Sequence, residues 1–205
     1  MITKKLYLSS QSTSRQKLLD LAGIPYQVIQ NTSDEYGVDI SKPFAEYVLA
    51  IAQHKMEHIV LTGLPKQEPI FVLTADTLSR MPSTGTILGK PKDINEAKHM
   101  LALQCKEPIE LATGCCLDKK EYKNNKWVTV EKEHWVTKAM FEFCVTEKDV
   151  GLYLKKVPQA LYACGAGIVE NFGVNFLRRV EGSYTAITGL PLYELRQALK
   201  KLSFL

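Results

Sequence analysis

A carboxylate and a lysine lie on either side of a short loop near the middle of the chain. Asp76 and Thr77 follow the apolar run Ile70–Leu73, and Lys90 follows the loop. A short apolar run predicts a buried strand, here expected to stop at Thr74. Ligands of α/β sheets bind beyond the carboxyl ends of strands. Asp76 and Lys90 could therefore hold a divalent metal and a polyphosphate, although Asp76 could equally cap a turn and Lys90 could be a solvated surface charge.

Hydroxyl side chains are concentrated immediately after a predicted first strand at Lys5–Ser9. Arg15 then begins a predicted amphipathic helix, which Gly23 is expected to end in a left-handed conformation. Free backbone N–H groups at the start of a helix favour phosphate, and an arginine adds a charge-assisted contact. The segment is therefore either a phosphate cradle or a plain helix cap rich in serine and threonine.

Two further charged segments are candidates for the same chemistry. Asp34 and Glu35 follow a predicted strand at Pro25–Gln30, where paired carboxylates can ligate a hard cation or orient a water, or can simply be solvated. Lys55 lies near the apolar face of a helix predicted from Ser41 to about Val60. Its ammonium group could extend from the core to solvent, or it could point into a cleft.

The remaining pattern supplies the elements that must position these side chains. Asp93 and Glu96 resemble a capping box at the start of a helix, and Asn124-Asn125 predicts a hairpin turn. Further elements are expected as strands at Leu111–Leu117, Trp127–His134, Lys138–Val145 and Gly173–Val180, a helix from Thr146 to before Pro158, and a carboxyl-terminal helix. Helices combined with a run of antiparallel strands predict a mixed sheet with two lobes.

Composition excludes several classes of protein. The 205 residues suffice for a single domain, residues 1–205, with two lobes. The net charge of +4 comes from dispersed lysines and arginines, so binding to a nucleic acid polymer is not expected. No signal peptide or membrane span is predicted. The five cysteines include no Cys-x-x-Cys pair, so they predict neither a disulfide framework nor a zinc site, and we expect a reduced, cytoplasmic protein.

Two familiar phosphate-binding patterns are not present. Gly165-Ala166-Gly167 lacks the third glycine and the following helix of a dinucleotide fingerprint. The segment Gly85–Lys90 is one residue short of a Walker loop and is followed by Pro91.

Taken together, the segments resemble the Maf (septum-formation inhibitor) family of nucleotide pyrophosphatases. The matching pieces, in order, are Leu8–Arg15, Leu18-Leu19, Gly23-Ile24, Asp34-Glu35, Lys55, Ala75–Thr77, Leu88–Pro91, Glu96-Ala97, Met100-Leu101, Thr113-Gly114, Glu181–Ser183 and Gly189–Leu192. The resemblance implies an α/β fold with a mixed twisted sheet, flanking helices and two lobes around a central cleft, often in a homodimer. It also implies hydrolysis of a nucleoside triphosphate to the monophosphate and pyrophosphate, with Mg²⁺ or Mn²⁺.

The resemblance also implies roles for individual residues. Asp76, Lys90 and Glu35 are the expected catalytic residues, and Asp76 and Glu35 are the expected metal ligands. Lys90, Lys55 and Arg15 are expected to neutralise the triphosphate. The full set of expected substrate contacts is Ser10, Ser12, Ser14, Arg15, Lys55, Thr77 and Glu170.

Departures from the family pattern leave the substrate and the level of activity open. The family usually has Ser-Pro-Arg-Arg where this chain has Ser12–Arg15, so Ser14 replaces one phosphate-binding arginine. Glu170 stands where a subgroup resembling 7-methyl-GTP hydrolases has glutamate, which suggests a modified base, although Glu170 could also be a surface carboxylate. The alternative function is a catalytically weak nucleotide-binding regulator of cell division on the same fold.

Overall fold

The computed structural model describes residues 4–34 and 37–205, which form seven strands and six α-helices. The strands are β1 (Leu6–Leu8), β2 (Tyr26–Val28), β3 (Ile70–Arg80), β4 (Ile87–Leu88), β5 (Ile109–Lys123), β6 (Lys126–Phe143) and β7 (Leu177–Gly182). The helices are α1 (Thr13–Leu21), α2 (Phe44–Glu57), α3 (Ile94–Gln104), α4 (Val150–Lys156), α5 (Tyr184–Ile187) and α6 (Leu192–Lys201). The predicted α/β class is confirmed.

All seven strands belong to one mixed sheet. Its order is β2-β1-β3-β5-β6-β7, and β4 pairs with β3. Strand β1 is parallel to both β2 and β3, with Leu8 opposite Val28 and Leu73, whereas β4 and β7 pair antiparallel with β3 and β6. Strands β1 and β2 therefore end beside the middle of β3. Their carboxyl ends form the edge of the sheet at which ligands of such folds bind.

The first of two compact units contains Met1–Asp76, Thr113–Thr137 and Gly189–Leu205. Its core forms where the buried strands β1 and β3 meet the apolar faces of helices. Helix α6 points Leu195, Ala198 and Leu199 inward, because residues three and four apart share one face of a helix. Ala52 and Met56 of α2 pack in a cluster with Val72 of β3, which fixes the helix that carries Lys55.

The second compact unit contains Thr77–Ala112 and Lys138–Thr188. Phe143 and Tyr153 lie at its centre, with ring centroids 5.8 Å apart in an edge-to-face arrangement. Asp93 caps α3 by accepting hydrogen bonds from the backbone N–H groups of Asn95 and Glu96, so the predicted helix start is confirmed.

Backbone conformations confirm two other local predictions. Gly23 follows the end of α1 with a φ of +64°, the left-handed conformation expected of a glycine at that position. Asn124 and Asn125 join β5 to β6 with φ values of 50° and 60°, as a tight hairpin turn requires.

Strand lengths were the least accurate predictions. The two strands predicted at Trp127–His134 and Lys138–Val145 are one continuous strand, β6. The final strand begins at Leu177 instead of Gly173, because Asn171–Phe176 forms 3₁₀ turns. Strand β3 continues to Arg80, so the predicted stop at Thr74 is wrong. The reason is that β3 extends past its pairing with β1 while it remains beside β5 and β4.

The cysteines also behave differently from the prediction. Cys105 ends α3, Cys144 directly follows β6, and their sulfur atoms form a disulfide. The expectation of no disulfide was therefore wrong, because the spacing of 39 residues carries no local signature and only the fold brings the two together. Cys115, Cys116 and Cys164 take no part in a disulfide.

Within residues 4–34 and 37–205, none of the helices combines the length and the apolar character needed to cross a bilayer.

Candidate functional site

Asp76 lies within β3, beyond the part of that strand that pairs with β1. The last paired residues are Leu8 and Leu73, so β1 ends while β3 continues through Asp76. Thr74, two residues earlier, donates a hydrogen bond from its hydroxyl to Ala52 O at 2.7 Å and joins β3 to α2. The end of β1 thus leaves the Asp76 carboxylate partly accessible at the carboxyl edge of the sheet, and it does so without the strand end that the sequence predicted.

Lys55 of α2 contacts this carboxylate directly. Its Nζ lies 2.5 Å from Asp76 Oδ1, and the two side chains are 23% and 14% exposed. The Lys55 ammonium is therefore directed to Asp76 at the carboxyl edge of the sheet. A partly buried ammonium–carboxylate pair interacts more strongly than a solvated one, because little water screens it.

The hydroxyl-rich loop is held by Arg15. The Ser10 hydroxyl accepts hydrogen bonds from Arg15 Nη1 at 3.0 Å and from the Ser12 N–H at 3.2 Å. Arg15 Nε donates to Gly189 O at 2.9 Å, and the Arg15 residue is 8% exposed. Ser12 is the N-cap of α1 and accepts from the Arg15 N–H. Part of the serine cluster thus caps the helix, and the buried guanidinium holds the loop in place.

Asn31 is a site residue that the sequence analysis did not single out. Its Nδ2 donates to Ser9 Oγ at 2.8 Å and to Lys55 O at 2.7 Å. This side chain therefore joins the end of β1 to the turn of α2 that carries Lys55. The available signal was its place as the first residue after the strand predicted at Pro25–Gln30.

A small pocket lies beside these groups, with a volume of about 160 Å³. Pockets for whole small-molecule ligands are usually about 300–1,000 Å³, so this one suits a fragment the size of a phosphate group. The lining residues are Ser10, Gln11, Ile29, Gln30, Asn31 and Thr32.

Two thiols on β5 are not suited to nucleophilic chemistry. Burial raises the pKa of Cys115 far above its ordinary value, although nearby Arg15 acts in the opposite direction. Burial likewise raises the pKa of Cys116 to about 12. Both remain neutral at physiological pH, and a neutral buried thiol is inert. Neither thiol is therefore a candidate nucleophile.

Three predicted site residues belong to the second unit. Thr77 is half-buried, and its carbonyl accepts a hydrogen bond from Cys164 Sγ at 3.1 Å. Lys90 is exposed, and Gly89 beside it accepts from the Gly165 N–H at 2.8 Å. Glu170 is half-buried. Burial raises the pKa of the Tyr184 phenol, and the negative charge of Glu170 raises it further.

Two predicted residues complete the set. Ser14 is half-buried in the first turn of α1. Glu35 lies outside the residues that the structure describes, so its predicted role in catalysis and metal binding stays a prediction. Among the predicted residues, the structure brings together Asp76 with Lys55, and Ser10 with Ser12 and Arg15.

Comparison with known proteins gives a consistent match over nearly the whole chain. A family model described as Maf-like protein matches residues 5–202. The chain is 32% identical over 198 residues to a dTTP/UTP pyrophosphatase of Bacillus cytotoxicus. The aligned region covers 97% of this chain and 95% of that protein. It is 31% identical to a dTTP/UTP pyrophosphatase of Treponema denticola, with 98% of each chain covered. Another protein of that name, from Anaeromyxobacter sp., is 30% identical, with 96% of this chain and 89% of the relative covered.

Proposed function

Because the chain belongs to the Maf family, we propose that it is a hydrolase that converts a nucleoside triphosphate to the monophosphate and pyrophosphate. The observation that carries the proposal is the 2.5 Å contact between Lys55 and Asp76 at the carboxyl edge of the sheet. The names of the relatives make dTTP and UTP the first substrates to test.

In the proposed reaction, water attacks the α-phosphorus of the triphosphate. Asp76 accepts the proton of the attacking water at its carboxylate. The bond from the α-phosphorus to the bridging oxygen breaks, and pyrophosphate leaves with the electron pair of that bond. Displacement at phosphorus depends mainly on positioning and on charge stabilisation, and a half-buried carboxylate held by an ammonium group supports both.

Lys55 and Arg15 support the proposal in different ways. The Lys55 ammonium lies beside Asp76 and is 23% exposed, so an incoming phosphate can reach it. Arg15 is buried against Ser10 and Gly189, so we assign it to positioning of the serine loop. The N–H groups at the start of α1 and the serine hydroxyls then face the phosphates.

A divalent cation, Mg²⁺ or Mn²⁺, is part of the proposal. Mg²⁺ usually takes one or two protein carboxylates and completes its coordination with substrate phosphates and water. Asp76 is a partly accessible carboxylate of the kind that such an ion needs, and Glu35 is the proposed second one. When bound, the ion neutralises negative charge on the triphosphate.

The resemblance suggests further features that belong to the proposal. Lys90 and Thr77 are proposed as phosphate contacts, and Glu170 as a base contact. A homodimer is the proposed assembly. The expectation of a 7-methyl-GTP-like substrate gains no support from the names of the relatives, so that nucleotide enters the substrate panel as a competitor of dTTP and UTP.

The test is an assay of pyrophosphate release from dTTP, UTP, the other common triphosphates and 7-methyl-GTP, with Mg²⁺ or Mn²⁺. We expect Asp76→Asn to lower kcat at least about 100-fold, the usual contribution of a positioned base. Asp20→Asn, on the exposed face of α1, is the matched control and should leave kcat unchanged. Thermal unfolding of both variants checks that they are folded. Absence of turnover with every nucleotide, or full activity of Asp76→Asn, would reject the proposal.

Ser14 favours one alternative, a protein that holds a nucleotide without cleaving it. A serine in place of the usual arginine removes one charge-assisted contact to phosphate. Calorimetric titration with dTTP separates the two functions. Tight binding with no pyrophosphate released supports the regulator, and binding with turnover supports the hydrolase.

A further inference from the structure

We propose that the carboxyl-terminal end of α2 carries a binding site for a transition-metal ion of the Zn²⁺ class, formed by His54, Glu57 and His58. One ligand atom from each of these side chains lies within 4.8 Å of the other two. Zn²⁺ binds histidine nitrogens and carboxylate oxygens at about 2.0–2.2 Å, so small side-chain rotations bring all three atoms onto one ion. The proposal rests on the geometry of these three side chains and does not depend on the proposed function.

Helical spacing explains why the three side chains converge. His54 and Glu57 are three residues apart and His54 and His58 are four apart, so all three lie on one face of the last helical turn. The centroids of the two imidazole rings are 4.2 Å apart. A histidine pair four residues apart on a helix, with a carboxylate beside it, is a known arrangement for Zn²⁺.

The hydrogen bond of His58 leaves the correct nitrogen for an ion. Its Nδ1 lies 2.8 Å from His54 O. A carbonyl oxygen can only accept, so Nδ1 carries a proton, and in the neutral imidazole Nε2 then keeps its lone pair. Histidines that ligate metals usually donate their other N–H to a carbonyl or carboxylate in this way, which fixes the ring orientation.

His54 supplies a second, independent observation. Its Nε2 is buried and has no hydrogen-bond partner among the described residues. An unpaired buried polar atom is costly, and a metal ion at this position would satisfy it. Asp34 Oδ1 lies 3.5 Å from His54 Nε2. Its negative charge would stabilise a bound cation, although Asp34 is not one of the three ligands.

The ligand types select the class of metal. Imidazole nitrogens suit Zn²⁺ and its neighbours such as Co²⁺ and Ni²⁺, whereas Mg²⁺ prefers oxygen ligands alone. We therefore expect Zn²⁺ to bind with Mg²⁺ present in large excess.

The first test is calorimetric titration of the full chain with ZnCl₂ in buffer that contains Mg²⁺. The titration is made in a Cys164→Ser background, since Cys164 is a half-buried thiol outside the disulfide and could bind zinc. One Zn²⁺ should bind per chain. Loss of an outer hydrogen-bond partner typically costs 10–100-fold in affinity, so loss of a ligand in His58→Gln should cost at least about 100-fold. His99→Gln, an exposed histidine on α3, is the control and should bind normally.

A second variant keeps all three ligands and protects the test against misfolding. A methyl group at Gly37 would lie 2.7 Å from His54 Cε1, so Gly37→Ala should displace the ring and weaken Zn²⁺ binding. Far-UV circular dichroism checks the fold of each variant. The proposal is overturned if no Zn²⁺ binds, or if His58→Gln and His99→Gln bind it equally well.

Nuclear magnetic resonance provides a readout that identifies the ligands. The chain has four histidines. Paramagnetic Co²⁺ should shift the imidazole signals of His54 and His58 strongly and leave those of His99 and His134 nearly unchanged. Equal shifts for all four would indicate scattered surface binding and would also overturn the proposal.

Discussion

Arg15 and Lys55 of the first unit differ in burial and in the contacts that their charged groups make. Arg15 uses its planar group to bind the Ser10 hydroxyl and Gly189 O at the same time, a geometry that a lysine cannot reproduce. Lys55 is a compact point charge that contacts Asp76 and stays partly accessible. We therefore propose that Arg15 maintains the structure of the loop and that Lys55 contacts the substrate.

Asp118 is the carboxylate with the largest set of partners on the β5–β6 hairpin. Its two oxygens lie 2.9 Å from His134 Nε2, 2.9 Å from Lys120 Nζ and 3.0 Å from Thr129 Oγ1. Burial acts to raise the pKa of Asp118, but the hydrogen bonds from His134, Lys120 and Thr129 outweigh it, and the pKa lies below its usual range. The folded state thus stabilises the ionised carboxylate of Asp118 relative to the unfolded chain.

We predict that Asp118→Asn lowers the free energy of unfolding by about 3 kcal/mol at neutral pH, as expected for removal of one partner from a buried ion pair. The folded pKa is depressed, so the stability that Asp118 contributes is present above its unfolded pKa of about 3.9 and is lost as the pH falls through the folded value. The difference between wild type and variant in urea unfolding should therefore shrink below about pH 4.

Glu131→Gln is the matched control on the same hairpin. Glu131 is exposed, so loss of its ion pair with Lys119 should change the free energy of unfolding by less than about 1 kcal/mol. A stability difference between wild type and Asp118→Asn that stays constant down to pH 2 would contradict the assigned role of the carboxylate.

At the scale of whole elements, the position of α2 depends on a glycine in the neighbouring strand. A methyl group at Gly114 of β5 would lie 2.8 Å from Leu49 Cα and 2.8 Å from Val48 O of α2. These are backbone atoms that cannot rotate away. Only glycine lets the helix approach β5 this closely, and that approach places Lys55 against Asp76.

We predict that Gly114→Ala forces α2 away from β5 and lowers the free energy of unfolding by about 1–3 kcal/mol, the usual cost of overpacking. The displacement of α2 should also lower activity in the pyrophosphate assay. Chemical denaturation measures the first effect, and the assay measures the second.

Gly151→Ala is the control with the opposite expected sign. Its methyl group would meet nothing within 4 Å on α4, so it should stabilise the protein by about 0.5–1 kcal/mol. Equal effects of the two substitutions would show that close packing of α2 on β5 is not what Gly114 provides.

For the whole molecule, the Cys105–Cys144 disulfide is the one covalent link between distant parts of the described chain. It joins the end of α3 to the residue after β6 and closes a loop over a separation of 39 residues. Such a link stabilises a protein mainly because it restricts the unfolded chain.

We predict three reactive thiols per chain in denaturant without reductant, and five after reduction, by thiol titration. The Cys105→Ser/Cys144→Ser variant should lose about 2–4 kcal/mol of unfolding free energy under oxidising conditions. Under reducing conditions it should be nearly as stable as the wild type. Five reactive thiols without reductant would show that the link does not form in the purified protein.

Local features of the fold were predictable because their causes are local. The left-handed Gly23, the Asp93 cap of α3 and the Asn124-Asn125 turn each depend on a few neighbouring residues, and all three have the predicted conformation. The ordered motifs over nearly the whole chain also sufficed to predict the family, which the comparisons confirm.

Tertiary structure alone decided the contacts that make the candidate site. Lys55 and Asp76 are 21 positions apart, Arg15 and Gly189 are 174 apart, and the disulfide spans 39. Hydrophobic periodicity states which face of an element is buried, but it does not state which element lies beside it. Sheet order supplies that information. It also sets where β1 ends beside β3, and therefore leaves Asp76 accessible in the middle of a strand.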